Sequence, residues 1–263
     1  MDQQERKIAV LIDADNVSRK YIKYILDEVS NHGVPTTKRI YGDWTQPQLA
    51  SWKEPLLEYS ITPIQQYGYT TGKNATDSAL IIDAMDILYS GSVDGFCIVS
   101  SDSDFTRLAA RLREAEKYVL GLGEQKTPQS FISACNKFSY IDLLYAAAQP
   151  TPAETAKAAC KAASAKVKKE PAAEKAPDAK AGSDLELVKR TLTELAEENS
   201  EDDGWILSSR LGELIAKKMP DFDVRNFRYK KFVQFVESLQ LFETKRQAAE
   251  GEKVHTIYFR VKE

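Results

Sequence analysis

Histidine, cysteine and long apolar runs are scarce in this chain, and each shortage narrows its chemistry. There are two histidines in 263 residues, His32 and His255, and three cysteines, Cys97, Cys135 and Cys160, with no CxxC or other metal-ligand spacing. That argues against a zinc site and against a disulfide framework. Cys97 lies in the apolar run Phe96-Cys97-Ile98-Val99 and reads as a small core residue. A reducing compartment, the cytoplasm, fits this usage. No apolar stretch approaches the ~20 residues that span a bilayer, so no membrane role is expected. The opening Met1-Asp2-Gln3-Gln4-Glu5 lacks the basic and apolar regions of a secretion signal. Ser-His-Asp, Cys-His and glycine-rich nucleotide-binding motifs are missing too. So is a strong charge of one sign: the net charge is −3, and any contact with nucleic acid must use local basic patches.

Three compositional zones are present. Residues 1–148 hold 15 basic and 19 acidic side chains, 149–183 hold 7 and 4, and 184–263 hold 14 and 16. The first zone alternates strand-like segments (7–12, 36–41, 61–66, 95–100, 117–122) with helix-like ones (16–31, 47–58, 74–90, 103–115, 128–135). Such alternation predicts an α/β domain, a Rossmann-like parallel sheet with helices on both faces. The second zone is dominated by Ala, Lys, Pro and Glu and cannot bury enough surface to offset its ordering entropy, which predicts a flexible linker. The third predicts an amphipathic helix over 185–197, with Leu185, Val188, Leu192 and Leu195 on one face. A helix bearing Leu211, Leu214 and Ile215 follows, then a third over about 225–239, and a hairpin of 241–244 with 255–261 around Gly251. Three helices closed by a hairpin form a small winged helix-turn-helix domain.

The chemistry is concentrated in four carboxylates. Asp13 ends the run Ile8-Ala9-Val10-Leu11-Ile12; Asp102 and Asp104 follow Phe96–Val99; Asp77 opens a helical stretch. In a parallel sheet the ligand site lies beyond the carboxyl ends of the strands, where Asp13 and Asp102 emerge. Gathered carboxylates raise one another's ionisation cost, and a divalent cation with oxygen ligands is the usual reason to gather them. A single aspartate near a helix start is more often a cap than a ligand; the joint placement is what favours Mg²⁺ or Mn²⁺. Such an ion activates water and neutralises charge on a scissile phosphate. Lys73 precedes Asp77 by four residues and is a candidate phosphate contact. Asn16 either orients Asp13 or contacts substrate. Asp83 and Asp86 point away from the Asp77 face of their helix, which suggests structural or surface roles.

The motifs Leu11-Ile12-Asp13-Ala14-Asp15-Asn16, Lys73-Asn74-Ala75-Thr76-Asp77 and Ser100-Ser101-Asp102-Ser103-Asp104-Phe105 resemble the three acidic motifs of NYN domains, the LabA-like branch related to PIN nucleases. The likeness covers about 6–145, including Lys126-Thr127-Pro128, Phe131, Cys135 and Phe138. It implies a metal-dependent (endo)ribonuclease with Asp13, Asp77, Asp102 and Asp104 as catalytic metal ligands, and supporting places for Asn16, Lys73 and Ser101. Two other readings remain at this point. One is a non-catalytic RNA-binding adaptor. The other is a haloacid-dehalogenase-like phosphatase, because Asp13-Ala14-Asp15-Asn16-Val17 fits its first motif with Asp13 as nucleophile and Asp15 as general acid/base.

In the third zone, Gly204-Trp205-Ile206-Leu207-Ser208, Leu211-Gly212, Phe222 and Phe227-Arg228-Tyr229-Lys230-Lys231-Phe232 resemble an OST-HTH, or LOTUS, domain over about 184–263. Arg228 stands where that pattern normally has Gly. The resemblance implies RNA binding and, in some members, protein partners. Arg225, Arg228, Lys230 and Lys231, expected at the start of the third helix, are the candidate backbone contacts. Trp205 is expected to be core rather than a base-stacking platform.

Overall fold

The computed structural model describes residues 5–67, 75–149, 179–201, 203–248 and 255–262. Two compact units divide the chain, Met1–Ala146 with Met219–Asp223, and Ala147–Lys218 with Val224–Glu263. No helix among the described residues is long and apolar enough to cross a membrane.

The first unit is built on strands β1 (Lys7–Asp13), β2 (Val34–Gly42), β3 (Thr62–Gln65), β4 (Gly95–Val99), β5 (Tyr118–Gly123) and β6 (Lys137–Tyr140). They form one sheet in the order β3-β2-β1-β4-β5-β6, every pairing parallel. Helices α1 (Ile22–Ser30), α2 (Lys53–Glu58), α3 (Ala75–Ser90), α4 (Thr106–Glu114), α5 (Gln129–Ala134) and α6 (Ile141–Ala148) complete it. The expected strands and helices are present, with shifted ends. Three of the expected helices begin as 3-10 turns, at Arg19–Tyr21, Pro47–Trp52 and Ser103–Phe105.

Side-chain alternation explains the apolar runs. On β1, Ile8, Val10 and Ile12 pack with Ile22, Ile25 and Val29 of α1 and with Trp52. Ala9 and Leu11 face the other way, onto Leu80, Ala84 and Ile87 of α3 and Leu108 and Leu112 of α4. On β4, Cys97 and Val99 join the first cluster, and Phe96 and Ile98 the second. A strand buried on both faces reads as continuous rather than alternating apolar sequence. Truncating Leu11 to Ala would cost about 2–5 kcal/mol. The same alternation places Asp13 and Ser100 on the α3 side, as the next steps after Leu11 and Ile98.

β6 and α6 are additions to the expected elements. β6 packs unusually close: a Cβ on Gly121 would come within 2.5 Å of the Phe138 ring and 2.7 Å of Cys135 Sγ. Gly121 and Phe138 are register partners, so glycine is what admits the last strand at this spacing.

The second unit contains α7 (Ala179–Asn199), β7 (Ile206–Leu207), α8 (Ser208–Lys218), a 3-10 turn at Val224–Phe227, α9 (Phe232–Ser238), β8 (Phe242–Ala248) and β9 (His255–Val261). The strands form an antiparallel sheet in the order β7-β9-β8. Its core joins Val188, Leu192 and Leu195 of α7, Leu211 and Ile215 of α8, Phe235 and Val236 of α9, and Ile206, Phe242 and Phe259 of the strands. Three helices and the paired strands β8 and β9 are thus as expected, and β7 is an addition at the expected apolar entry. Gly251 and most of the expected linker lie outside the described residues.

The third helix is shorter than expected, and the reason is local. Arg228 has φ 65°, a left-handed conformation that a right-handed helix cannot continue through. The turn closes on itself there: Arg228 N–H donates to Arg225 O at 3.0 Å and Tyr229 N–H to Val224 O at 3.0 Å. This is the Schellman-type ending usually given to glycine. Arg225, Arg228, Lys230 and Lys231 therefore precede α9 rather than open a long helix, and all four are exposed.

Candidate metal centre

β1 and β4 are neighbours in the middle of the sheet, with β2 on one side and β5 on the other. Strand order reverses between them, so a crevice opens beyond their carboxyl ends. Asp13 ends β1 and enters that crevice. Beyond β4 the chain runs through Ser100 and Ser101 to Asp102, the N-cap of the 3-10 turn before α4, whose Oδ1 accepts the Asp104 N–H at 2.9 Å. Asp77 lies in the first turn of α3.

Asp77, Asp102 and Asp104 converge: each offers a carboxylate oxygen within 4.8 Å of the others. Asp77 and Asp102 are half-buried and Asp104 is exposed. Asp13 is not among these three. It is only 1% exposed, and both its oxygens are occupied. Oδ1 accepts the Asp15 N–H at 3.0 Å. Oδ2 accepts from the Asn16 amide at 2.7 Å and from Ser100 Oγ at 2.9 Å. Ser100 Oγ in turn accepts the Asp102 N–H at 3.1 Å. A continuous hydrogen-bonded chain, Asn16–Asp13–Ser100–Asp102–Asp104, thus ties the end of β1 to the start of α4.

The electrostatics suit a cation. Burial pushes the Asp13 carboxyl up from its ordinary range, against the pull of Asn16, Ser100 and the Asp15 amide. Asp77 is raised to about 6, first by burial and then by the charges of Asp13, Asp102 and Asp104. Burial and neighbouring acidic groups thus make a negative charge on Asp77 costly, and a cation in the crevice would offset that cost. An all-oxygen donor set of this kind fits a hard divalent ion.

The other sequence candidates have distinct fates. Asn16 orients Asp13. Ser101 Oγ accepts the Glu124 N–H at 2.9 Å and joins the ends of β4 and β5. Lys73 lies outside the described residues. Asp15 is exposed, and it serves Asp13 through its backbone. A buried, triply hydrogen-bonded Asp13 is poorly placed to be the nucleophile of a phosphatase. Asp83 joins Arg39 and Tyr41, linking α3 to β2 in a structural role. Ser100 escaped the sequence reading; its signal was an inward-facing position at the end of β4.

A family model of the NYN domain matches residues 7–143, and one of the OST-HTH/LOTUS domain matches residues 183–254. No curated protein sequence matches the chain. Among solved structures, a protein of unknown function from Vibrio parahaemolyticus aligns over 52% of this chain and 94% of its own, at 21% identity and a TM-score of 0.45. An uncharacterized protein from Nitrosomonas europaea aligns over 38% of this chain and 92% of its own, at 27% identity and a TM-score of 0.28. With the first of these models covering more than half of its length, the chain belongs to the NYN domain family, and it carries an OST-HTH/LOTUS domain after it.

Proposed function

We propose that this protein is a metal-dependent ribonuclease that hydrolyses RNA phosphodiester bonds in the cytoplasm, with its OST-HTH/LOTUS domain holding the RNA. The observation that carries the reading is the meeting of Asp77, Asp102 and Asp104 within 4.8 Å at the crevice where strand order reverses. In an NYN domain this is the place for a catalytic centre, and the donor set fits Mg²⁺ or Mn²⁺. Asp77, Asp102 and Asp104 would hold the ion; Asp13 would supply further charge, and it anchors the frame through Ser100. A divalent ion held there would lower the pKa of a water and offset charge developing on the scissile phosphate. The chain's own part is positional. The Asn16–Asp13–Ser100 hydrogen bonds fix the Asp102 backbone, and Asp102 caps the turn that presents Asp104. Lys73, four residues before Asp77, is assigned to a phosphate. Arg225, Arg228, Lys230 and Lys231 are exposed cations suited to positioning an RNA backbone.

The test compares cleavage of labelled RNAs, with Mn²⁺ or with EDTA, by the wild-type chain, Asp77→Asn and Asp13→Asn. The expected result is cleavage that needs metal and falls more than ~100-fold in Asp77→Asn, since even partners of metal ligands cost about 10–100-fold. Cleavage surviving in both variants would sink the site assignment. RNA binding without cleavage would instead make the protein an adaptor.

A further inference from the structure

The sheet of the second unit has two unlike faces. Ile206, Phe242 and Phe259 point into the core and are buried. The residues alternating with them point outward, and their register is fixed. Leu207 and Lys245 both oppose Tyr258, and Glu243 opposes Arg260. Lys245 and Arg260 are exposed, and Leu207 is 37% exposed. Lys262 continues the alternation past the end of β9 and is exposed.

Trp205 stands beside this face rather than in the core. Its ring is half-buried, with Arg260 Cζ 4.8 Å and Lys245 Nζ 5.6 Å from its centroid. The ring's position is set by a tight turn. Gly204, at φ 77°, donates its N–H to Glu201 O at 2.8 Å, and Trp205 O accepts the Glu201 N–H at 3.0 Å. Arg260 is held as well: its stem passes 3.4 Å from where a Cβ on Gly204 would stand, and its Nε donates to Glu243 at 3.0 Å.

We infer that the outward sheet face of the second unit, bearing Trp205, Tyr258, Lys245, Arg260 and Lys262, is a binding platform for single-stranded RNA. The inference rests on the RNA binding proposed above and names the face that performs it. Charge favours this occupant over a protein. Residues 184–263 carry 14 basic and 16 acidic side chains, yet this face gathers three cations against Glu243. The rings supply the complementary half. Bases of an unpaired strand stack on aromatic and guanidinium planes displayed on a sheet, while lysines follow the phosphates. A duplex hides its base faces and cannot use the rings.

Fluorescence anisotropy of the full chain tests this, in EDTA so that the acidic centre is silent. The probe is a labelled single-stranded RNA of about 12 nucleotides, a length such surfaces span. Lys245→Ala/Lys262→Ala, both at exposed positions, should weaken binding and flatten its log-log salt dependence by about 0.7 per lysine. Trp205→Ala should weaken it about tenfold, and the same RNA annealed into a duplex should bind less tightly than the single strand. The lysine pair keeps the test decisive if Trp205→Ala loosens the turn. An unchanged affinity and salt slope in the lysine pair overturns this inference alone. Loss confined to an Arg225→Ala/Arg228→Ala/Lys230→Ala/Lys231→Ala variant does the same and moves the site to the loop before α9. No binding by the wild-type chain overturns the RNA reading itself, and this inference with it.

Discussion

The two units handle charge in opposite ways. In the first, carboxylates are drawn into a crevice and held by a hydrogen-bonded frame, so that Asp77 is pushed to about 6. In the second, the described ion pairs lie at the surface: Glu194, for instance, meets Arg190 at 2.8 Å and Lys218 at 3.2 Å. Exposed pairs of that sort contribute about 0–1 kcal/mol. The lesson is that the first unit crowds charges of one sign into one crevice, at a cost to Asp77. The second keeps them solvated, adaptable and individually replaceable.

The sharpest way to break this comparison is to cut the frame without touching a carboxylate. Among the described residues, Ser100 Oγ bridges Asp13 and the Asp102 backbone. Ser100→Ala should lower metal-dependent cleavage about 10–100-fold, as removal of partners behind metal ligands does elsewhere. Titrating Mn²⁺ should restore part of the loss, because the donor set survives and only its placement relaxes. A variant as active as wild type at limiting Mn²⁺ would show that the carboxylates hold their places without the frame.

The next effect is on packing. Gly121→Ala drives a methyl group into Phe138 and Cys135, and overpacking of this kind costs about 1–3 kcal/mol. Urea denaturation should show a lower midpoint, with β6 the first part to gain hydrogen exchange. A neutral substitution would mean that the edge of the sheet yields to accommodate the methyl group.

β6 also marks where sequence reading ended. β1 and β4 were legible because both faces are buried and their sequences are apolar without interruption. β6 has only Lys137, Phe138, Ser139 and Tyr140, two of them polar. Its buried Ser139 is satisfied by donating to the buried Glu28 carboxylate at 2.9 Å, a partner from α1 that no local pattern announces. The acidic site divides likewise. Asp13 and Asp102 were legible as strand ends in a parallel sheet. Their hydrogen-bond partners were not, because Asp13 is held by Ser100, 87 residues away, a contact that no local pattern announces. The arginine at 228 was seen to stand where glycine is usual, but the sequence left open whether the turn would survive; it does, in the left-handed conformation.

Asp77 gives a smaller, pH-dependent effect. The unfolded carboxyl gives up its proton near 3.8 and the folded one near 6. Between those values the folded chain holds a proton that the unfolded chain has lost, so this group's contribution to stability is present below 3.8 and lost as pH rises through 6. In EDTA, Asp77→Asn should therefore melt above wild type at pH 8 and level with it near pH 3.5. Mn²⁺ at pH 8 should reverse the order by stabilising only the protein with its full donor set. Equal melting temperatures at pH 8 in EDTA would mean that burying a charged Asp77 beside its acidic neighbours carries no stored cost, and the contrast between the units would collapse.

The smallest effect belongs to the second unit, where the strain sits in single left-handed residues, Arg228 and Gln240, rather than in a network. A non-glycine residue in the left-handed region costs about 1–2 kcal/mol, and glycine recovers part of that while adding entropy to the unfolded chain. Arg228→Gly should thus stabilise the protein by about 1 kcal/mol or less, read as a small rise in melting temperature. Arg228 is exposed, so the gain comes from backbone relief, with little packing lost. Arg228→Ala, which deletes the charge but keeps the Cβ, should give no such rise. If the two variants melt alike, the turn is held by its hydrogen bonds to Arg225 and Val224 without strain. The arginine would then be a cation placed at no conformational cost, and the second unit's charges would be as free of structural burden as those on its surface helices.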